Sequence, residues 1–235
     1  TAPTGQAWNG PLPSYAPRTA TARITGLLSG LPAPVHHLAV SPDGTRLAAA
    51  FTGRAGIQLW DARNGTRQWS DAGFGGPARM VAFDPTGRRI AATSADGRVR
   101  VYDVAGRKLA ERAPVPNGRP YGLAWSPDGS LLAIGFEDRL RVEVLAATDL
   151  RTVFLPDTAG LAGEGLPALT WASDGRGGVQ LHAAGYARRS SPPTRGINTA
   201  GPGAASPGDP RREFVIRRWA DFGLGPATDI PAARD

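Results

Sequence analysis

Three histidines, one acidic pair and a scatter of arginines are the side chains in these 235 residues with chemistry to offer. His36 and His37 are adjacent, but a zinc site would need further histidines or carboxylates at ligand spacing, and neither has them. His182 lies in an apolar stretch, where a packed imidazole is the plainer reading. Glu137 and Asp138 share a tight turn, and adjacent carboxylates in such turns are ordinarily just solvated. Cysteine is absent, which removes disulfides, thiolate metal sites and thiol nucleophiles. The sequence contains no Gly-x-Ser-x-Gly elbow, no phosphate-cradling loop and no His-Glu-x-x-His helix. It therefore predicts no catalytic residues, no cofactor and no metal.

The formal net charge is +7, and Lys108 is the single lysine among 27 basic residues. Arginine, alanine, glycine and proline are abundant together, which the codon bias of a GC-rich bacterial genome produces without any acidic partner. Nucleic-acid binding through the arginine-rich loop at 185–212 is an alternative, and it predicts retention on heparin and steep salt dependence. No apolar run is long enough to span a membrane and no signal-peptide pattern opens the chain. A cytoplasmic location without a membrane partner is expected.

A repeat must position these residues. Ser41-Pro42-Asp43-Gly44, Asp84-Pro85-Thr86-Gly87 and Ser126-Pro127-Asp128-Gly129 begin 43 and 42 residues apart, each leading into a small apolar run. That period around such a turn marks a β-propeller blade of four strands. Val40, Phe83, Trp125 and Trp171 stand just before the turns, the last announcing a degenerate fourth unit with Ala172-Ser173-Asp174-Gly175 as its turn. The expected fold is all-β, a β-propeller of four-stranded antiparallel blades. About four blades are present, near residues 34–70, 78–113, 120–156 and 166–230, after a Pro-rich leader at 1–20. In the first blade the strands fall at 35–40, 46–51, 57–60 and 66–69; in the third blade the third strand falls at 140–145. Val99-Arg100-Val101 alternates, predicting a third strand more exposed than the inner two.

Trp60-Asp61, Tyr102-Asp103 and Trp219-Ala220-Asp221, together with the turns, resemble the WD-repeat family over nearly all of residues 33–231. The resemblance implies a propeller that usually has seven blades and presents a rim to protein or peptide partners. The degenerate repeats look most like propeller regions of bacterial multidomain proteins fused to a caspase-like peptidase or a kinase. That likeness implies a non-catalytic scaffold or sensor role beside an effector outside these residues. Departures exist: the Gly-His pair that opens such repeats is absent, Leu145-Ala146 stands where Trp-Asp would, and Asp96 has no repeat-opening histidine to bond. The blades are thus expected to rest on apolar packing more than on a buried polar network.

Four blades in an open arc would leave two inter-blade faces uncovered. A face of roughly 500 Å² forgoes about 12 kcal/mol of apolar burial. The missing blades are expected from continuation of the chain or from another subunit, a closed ring of four being the other possibility. Residues 22–28 read as an outer strand completing a further blade.

The loops on one rim form the candidate partner-binding surface: Arg54; Phe74 and Arg79; Tyr121; and Glu137, Asp138 and Arg139. The loop at 157–166 lies on the same rim. So does an insertion at 185–212, which holds Arg188, Arg189, Arg195, Arg211 and Arg212 against Asp209, with ten Gly or Pro among its 28 residues. Such composition predicts no regular structure. Phe74 and Tyr121 read either as aromatic anchors for a peptide or as caps on the blades they precede. A propeller enzyme or ligand-binding protein would instead use the channel mouth near His36, Arg79, Tyr121 and Pro167.

Overall fold

The computed structural model describes residues 28–189 and 214–230, which form strands and turns apart from one short 3-10 segment. The first blade comprises β1 (Val35–Val40), β2 (Arg46–Phe51), β3 (Ile57–Asp61) and β4 (Arg67–Asp71). The second comprises β5 (Ala78–Phe83), β6 (Arg89–Ser94), β7 (Val99–Asp103) and β8 (Lys108–Arg112). The third comprises β9 (Pro120–Trp125), β10 (Leu131–Phe136), β11 (Val142–Ala146) and β12 (Thr152–Phe154). After β13 (Leu161–Gly163), the fourth comprises β14 (Ala168–Ser173), β15 (Val179–Arg189), β16 (Phe214–Trp219) and β17 (Ala227–Ile230). Every blade is an antiparallel meander, paired in chain order from the inner to the outer strand. These are the expected propeller blades.

The turn between the first two strands shows why the repeat folds locally. Ser41 Oγ donates to Asp43 at 2.6 Å and accepts the Arg46 N–H, and Ser126 with Asp128 and Leu131 repeats the arrangement. In the second blade donor and acceptor change places: Thr86 Oγ1 donates to Asp84, which accepts the Arg88 and Arg89 N–H groups. The turn needs one hydroxyl and one carboxylate two residues apart, in either order.

The core lies between blades. A face that looks toward the following blade, here called forward, carries small and aliphatic residues such as Ala48, Ala50 and Leu59. These pack on Val81, Ile90 and Tyr102 of the rear face of the second blade. The second and third blades, and the third and fourth, repeat this contact. Trp125 Nε1 reaches back to the Ala82 carbonyl at 3.2 Å and Trp171 Nε1 to the Ala124 carbonyl at 3.0 Å, fastening adjacent inner strands. The inner strands neighbour one another in the order β1, β5, β9, β14, and β14 does not pack on β1 as the successive pairs do. Leu38 and Val40, on the rear face of the first blade, are 53% and 60% exposed. These four blades therefore form an open arc, not a closed ring of four.

Three expectations are corrected. Third strands are not the more exposed ones: β7 and β11 are buried over their first four residues, because both their faces are covered by adjacent blades. The blades also do not dispense with buried polar groups. Gln58, Arg100, Glu143 and Arg217 occupy the same place in their third strands, and all are buried. Asp96, lacking a histidine, takes Arg100 Nη2 at 2.6 Å, and Arg217 Nε lies 2.7 Å from Asp229. Finally, β15 runs on through Arg189, so the first five residues of the predicted irregular insertion are strand. Backbone groups of 187–189 pair with β13, itself inside the loop predicted at 157–166. The leader, residues 22–27 of the predicted closing strand, and Arg195, Arg211 and Arg212 lie outside the described residues.

Candidate functional site

His36, Arg79 and Tyr121 occupy equivalent positions near the start of β1, β5 and β9, each three residues before an alanine (Ala39, Ala82, Ala124) of the inner strand. The blade repeat thus sets one of them beside the next at the end of the inner strands where a propeller has its channel mouth. His36 Nδ1 lies 3.1 Å from the Ala78 carbonyl, and its ring meets Tyr121 edge-on at 5.9 Å between centroids. The Arg79 guanidinium sits 5.6 Å from the Tyr121 centroid, within cation–π range. Arg79 Nη2 also donates to Glu137 Oε1 at 3.2 Å, and Arg119 Nε stands 3.7 Å from the same oxygen. Of the residues singled out in the sequence, Arg79, Tyr121 and Glu137 therefore form one cluster, completed by His36 and Arg119. Arg119 carried no sequence signal beyond lying in the loop before Tyr121.

Beneath the cluster Thr93 Oγ1 donates to the Tyr121 carbonyl and accepts the Met80 N–H, so one buried hydroxyl ties β5, β6 and β9 together. The aromatic and the cation above it consequently stand on a rigid floor.

Asp138 and Arg139 do a different job. Asp138 accepts the Arg119 N–H at 3.1 Å and Arg139 Nη2 at 2.8 Å, while Arg139 Nη2 also donates to the Asn117 carbonyl. Burial opposes the Asp138 charge, but the bonds from Arg139 and the Arg119 N–H outweigh it and hold the carboxyl below its ordinary range. Asp96 fastens the preceding loop likewise through the Gly75 N–H at 3.0 Å. These acids are latches between a rim loop and the following blade, not simply solvated carboxylates.

Of its two readings Phe74 takes the cap and leaves the candidate partner surface: it is 3% exposed, with the Arg100 guanidinium 4.2 Å from its centroid. Arg54 is exposed and makes no ion pair among the described residues. Arg188 and Arg189 lie on β15, away from the channel-mouth cluster in sequence, and their side chains are outside the described set. The His37 imidazole is pushed below its ordinary value chiefly by burial, and its Nδ1 has no hydrogen-bond partner. Among the described residues no group of three His, Asp or Glu side chains could hold a metal ion. A separate cavity of about 440 Å³ lies on the rear of the first blade, between residues 28–31 and Gln58, Trp60, Asn64 and Arg67.

Residues 75–103 match the family model for the WD domain, G-beta repeat. The match runs from the latched Gly75 loop to Asp103, which covers the first three strands of the second blade. The chain is also similar to WD-repeat proteins. It is 31% identical to Coronin-7 of Rattus norvegicus over 48% of this chain and 13% of that protein. It is 29% identical to WD repeat and HMG-box DNA-binding protein 1 of Homo sapiens over 50% of the chain and 11% of that protein. WD repeat-containing protein SL1-17 of Schistosoma mansoni is 37% identical over 32% of the chain and 24% of its own length. The chain thus spans only about an eighth of the first two relatives.

Proposed function

We propose that this chain is a non-catalytic protein-interaction module whose partner docks on the channel-mouth cluster of His36, Arg79, Tyr121, Glu137 and Arg119. The observation that carries the proposal is the placement of Arg79 over Tyr121, with Glu137 holding the guanidinium in place. An aromatic ring and a cation fixed before binding lose little side-chain freedom on contact, which is how a few residues come to dominate an interface. The complementary ligand is an extended peptide that stacks a side chain on Tyr121 and offers a carboxylate to Arg79 and Arg119. The proposal extends to the larger protein: the module recruits or senses for an effector of the caspase-like peptidase or kinase kind. That effector lies outside these 235 residues, which lack cysteine.

The test is a peptide array probed with the full chain and with Tyr121→Ala and Arg79→Ala. Peptides bound by the parent and lost by both variants, with acidic residues enriched among them, support the rim. Unchanged capture by both variants overturns it. Retention on heparin with steep salt dependence, without peptide capture, would move the reading to nucleic acid.

A further inference from the structure

At each internal contact a row of four side chains, in register across the sheet, faces the following blade. In the first blade the row is Ala39, Ala48, Leu59 and Trp69; in the second it is Ala82, Ala91, Val101 and Ala110; in the third it is Ala124, Ala133, Val144 and Phe154. All twelve are apolar, as a contact between blades requires. The fourth blade breaks the rule. Its row is Thr170, His182, Arg218 and Thr228, polar from inner to outer strand.

Immediately above that row the same face is apolar and uncovered: Ile216 is 43% exposed, Ile230 40% and Tyr186 45%. Arg218 makes no ion pair or hydrogen bond among the described residues. His182 Nδ1 is buried without a partner. Burial first, and then the Arg218 charge, lower the His182 pKa, so a neutral imidazole lies beside a guanidinium that has no counter-charge. Elsewhere the chain gives its covered arginines a carboxylate: Arg100 has Asp96 at 2.6 Å and Arg217 has Asp229 at 2.7 Å. A covered guanidinium without such a partner is strongly unfavourable.

We propose that the forward face of the fourth blade is a second docking surface, for a partner sheet that presents a carboxylate to Arg218 and His182 between aliphatic side chains. A second copy of this chain does not fit. Its rear face, on the first blade, exposes Leu38 and Val40, neither of them acidic, while residues 28–31 lie against Gln58 and Trp60. The partner is therefore a different sheet surface, aliphatic with an acidic centre. This surface is independent of the channel mouth, on another face of the molecule, with its arginine set among aliphatic side chains instead of against an aromatic ring.

The probe is a disulfide-cyclised β-hairpin peptide with Ile-Thr-Glu-Thr-Ile in one strand, so that Ile, Glu and Ile share a face. Fluorescence anisotropy compares it with its Gln counterpart on the full chain. The Glu hairpin is expected to bind at least tenfold tighter, Arg218→Leu to erase that difference, and Arg218→Lys to keep part of it. Thermal melts of both variants confirm that each remains folded. Equal binding of the two hairpins, or binding of neither, overturns the proposal. A dimer in sedimentation velocity that Arg218→Glu dissolves would also overturn it, assigning the face to a second copy. So would hairpin binding seen only after deletion of residues 190–207, which would assign the face to the chain's own insertion.

Discussion

The Arg100 guanidinium lies 2.6 Å from Asp96 Oδ2 and 4.2 Å above the Phe74 ring, so one side chain closes a turn of the second blade over the loop arriving from the first. Asp96 completes the joint by accepting the Gly75 N–H. Removing one member of such a buried pair strands the other. Asp96→Ala should cost about 3 kcal/mol, measured by urea unfolding at neutral pH.

The same pair sets a pH dependence. Burial works against the Asp96 charge, yet the bonds from Arg100 and the Gly75 N–H prevail and depress its pKa. A carboxyl depressed on folding stabilises above its unfolded value, near 4, and that stability fades as pH falls through the folded value. Unfolding followed from pH 5 down to pH 2 should steepen in the parent relative to Asp96→Asn. Parallel curves would show that the pair adds nothing.

His37 and His182 act at higher pH. Burial is the leading cause that lowers both. The unfolded chain therefore takes up protons first, and stability present above about pH 6.5 declines as the solution is acidified below it. His37→Leu should flatten part of that decline without lowering stability at pH 8. A loss at pH 8 instead would mean that the imidazole fills a polar need.

Leu150 holds a left-handed backbone, φ 60°, at the turn position that Gly65 and Gly106 occupy in the first two blades. It is wholly buried in the cluster between the second and third blades, so packing outweighs the strain of that conformation. Leu150→Gly should relieve the backbone and still destabilise by about 2–3 kcal/mol, less than Leu150→Ala, which keeps the strain and loses the packing. Chemical denaturation of the two variants side by side gives the order.

Gly122 faces the fourth blade so closely that an added Cβ would stand 1.8 Å from the Pro167 carbonyl oxygen. Gly122→Ala must push the third and fourth blades apart. Faster amide hydrogen exchange in β14 and β15 than in β1 and β2 is the expected signature. Uniform exchange across all blades would show that the joint yields elsewhere.

The repeat was plain in the sequence because its parts are local: a hydroxyl and a carboxylate two residues apart, a glycine at the turn, and an apolar residue ahead of them. Those signals placed the four strands of the first blade and the third strands of the second and third blades. The channel-mouth cluster was partly legible, since His36, Arg79 and Tyr121 share a repeat position. Their joining through Glu137 depends on a contact 58 residues apart in the chain, which spacing does not reveal. Arg100 illustrates the opposite failure. Between Val99 and Val101 it has the pattern of an exposed strand, and only the stacked neighbouring blade, with Asp96 and Phe74 in place, makes an arginine there an interior residue. Phe74 stayed open between anchor and cap for the same reason.

The two ends of the arc are unlike, aliphatic at Leu38 and Val40 and cationic at Arg218. Repeat arrays with matching ends can add molecules one after another into open fibres. Here that growth is self-limiting, because each added copy would press a guanidinium into grease with no counter-charge at hand. A guanidinium set opposite leucine and valine thus works as a guard against this set of blades stacking on its own copies.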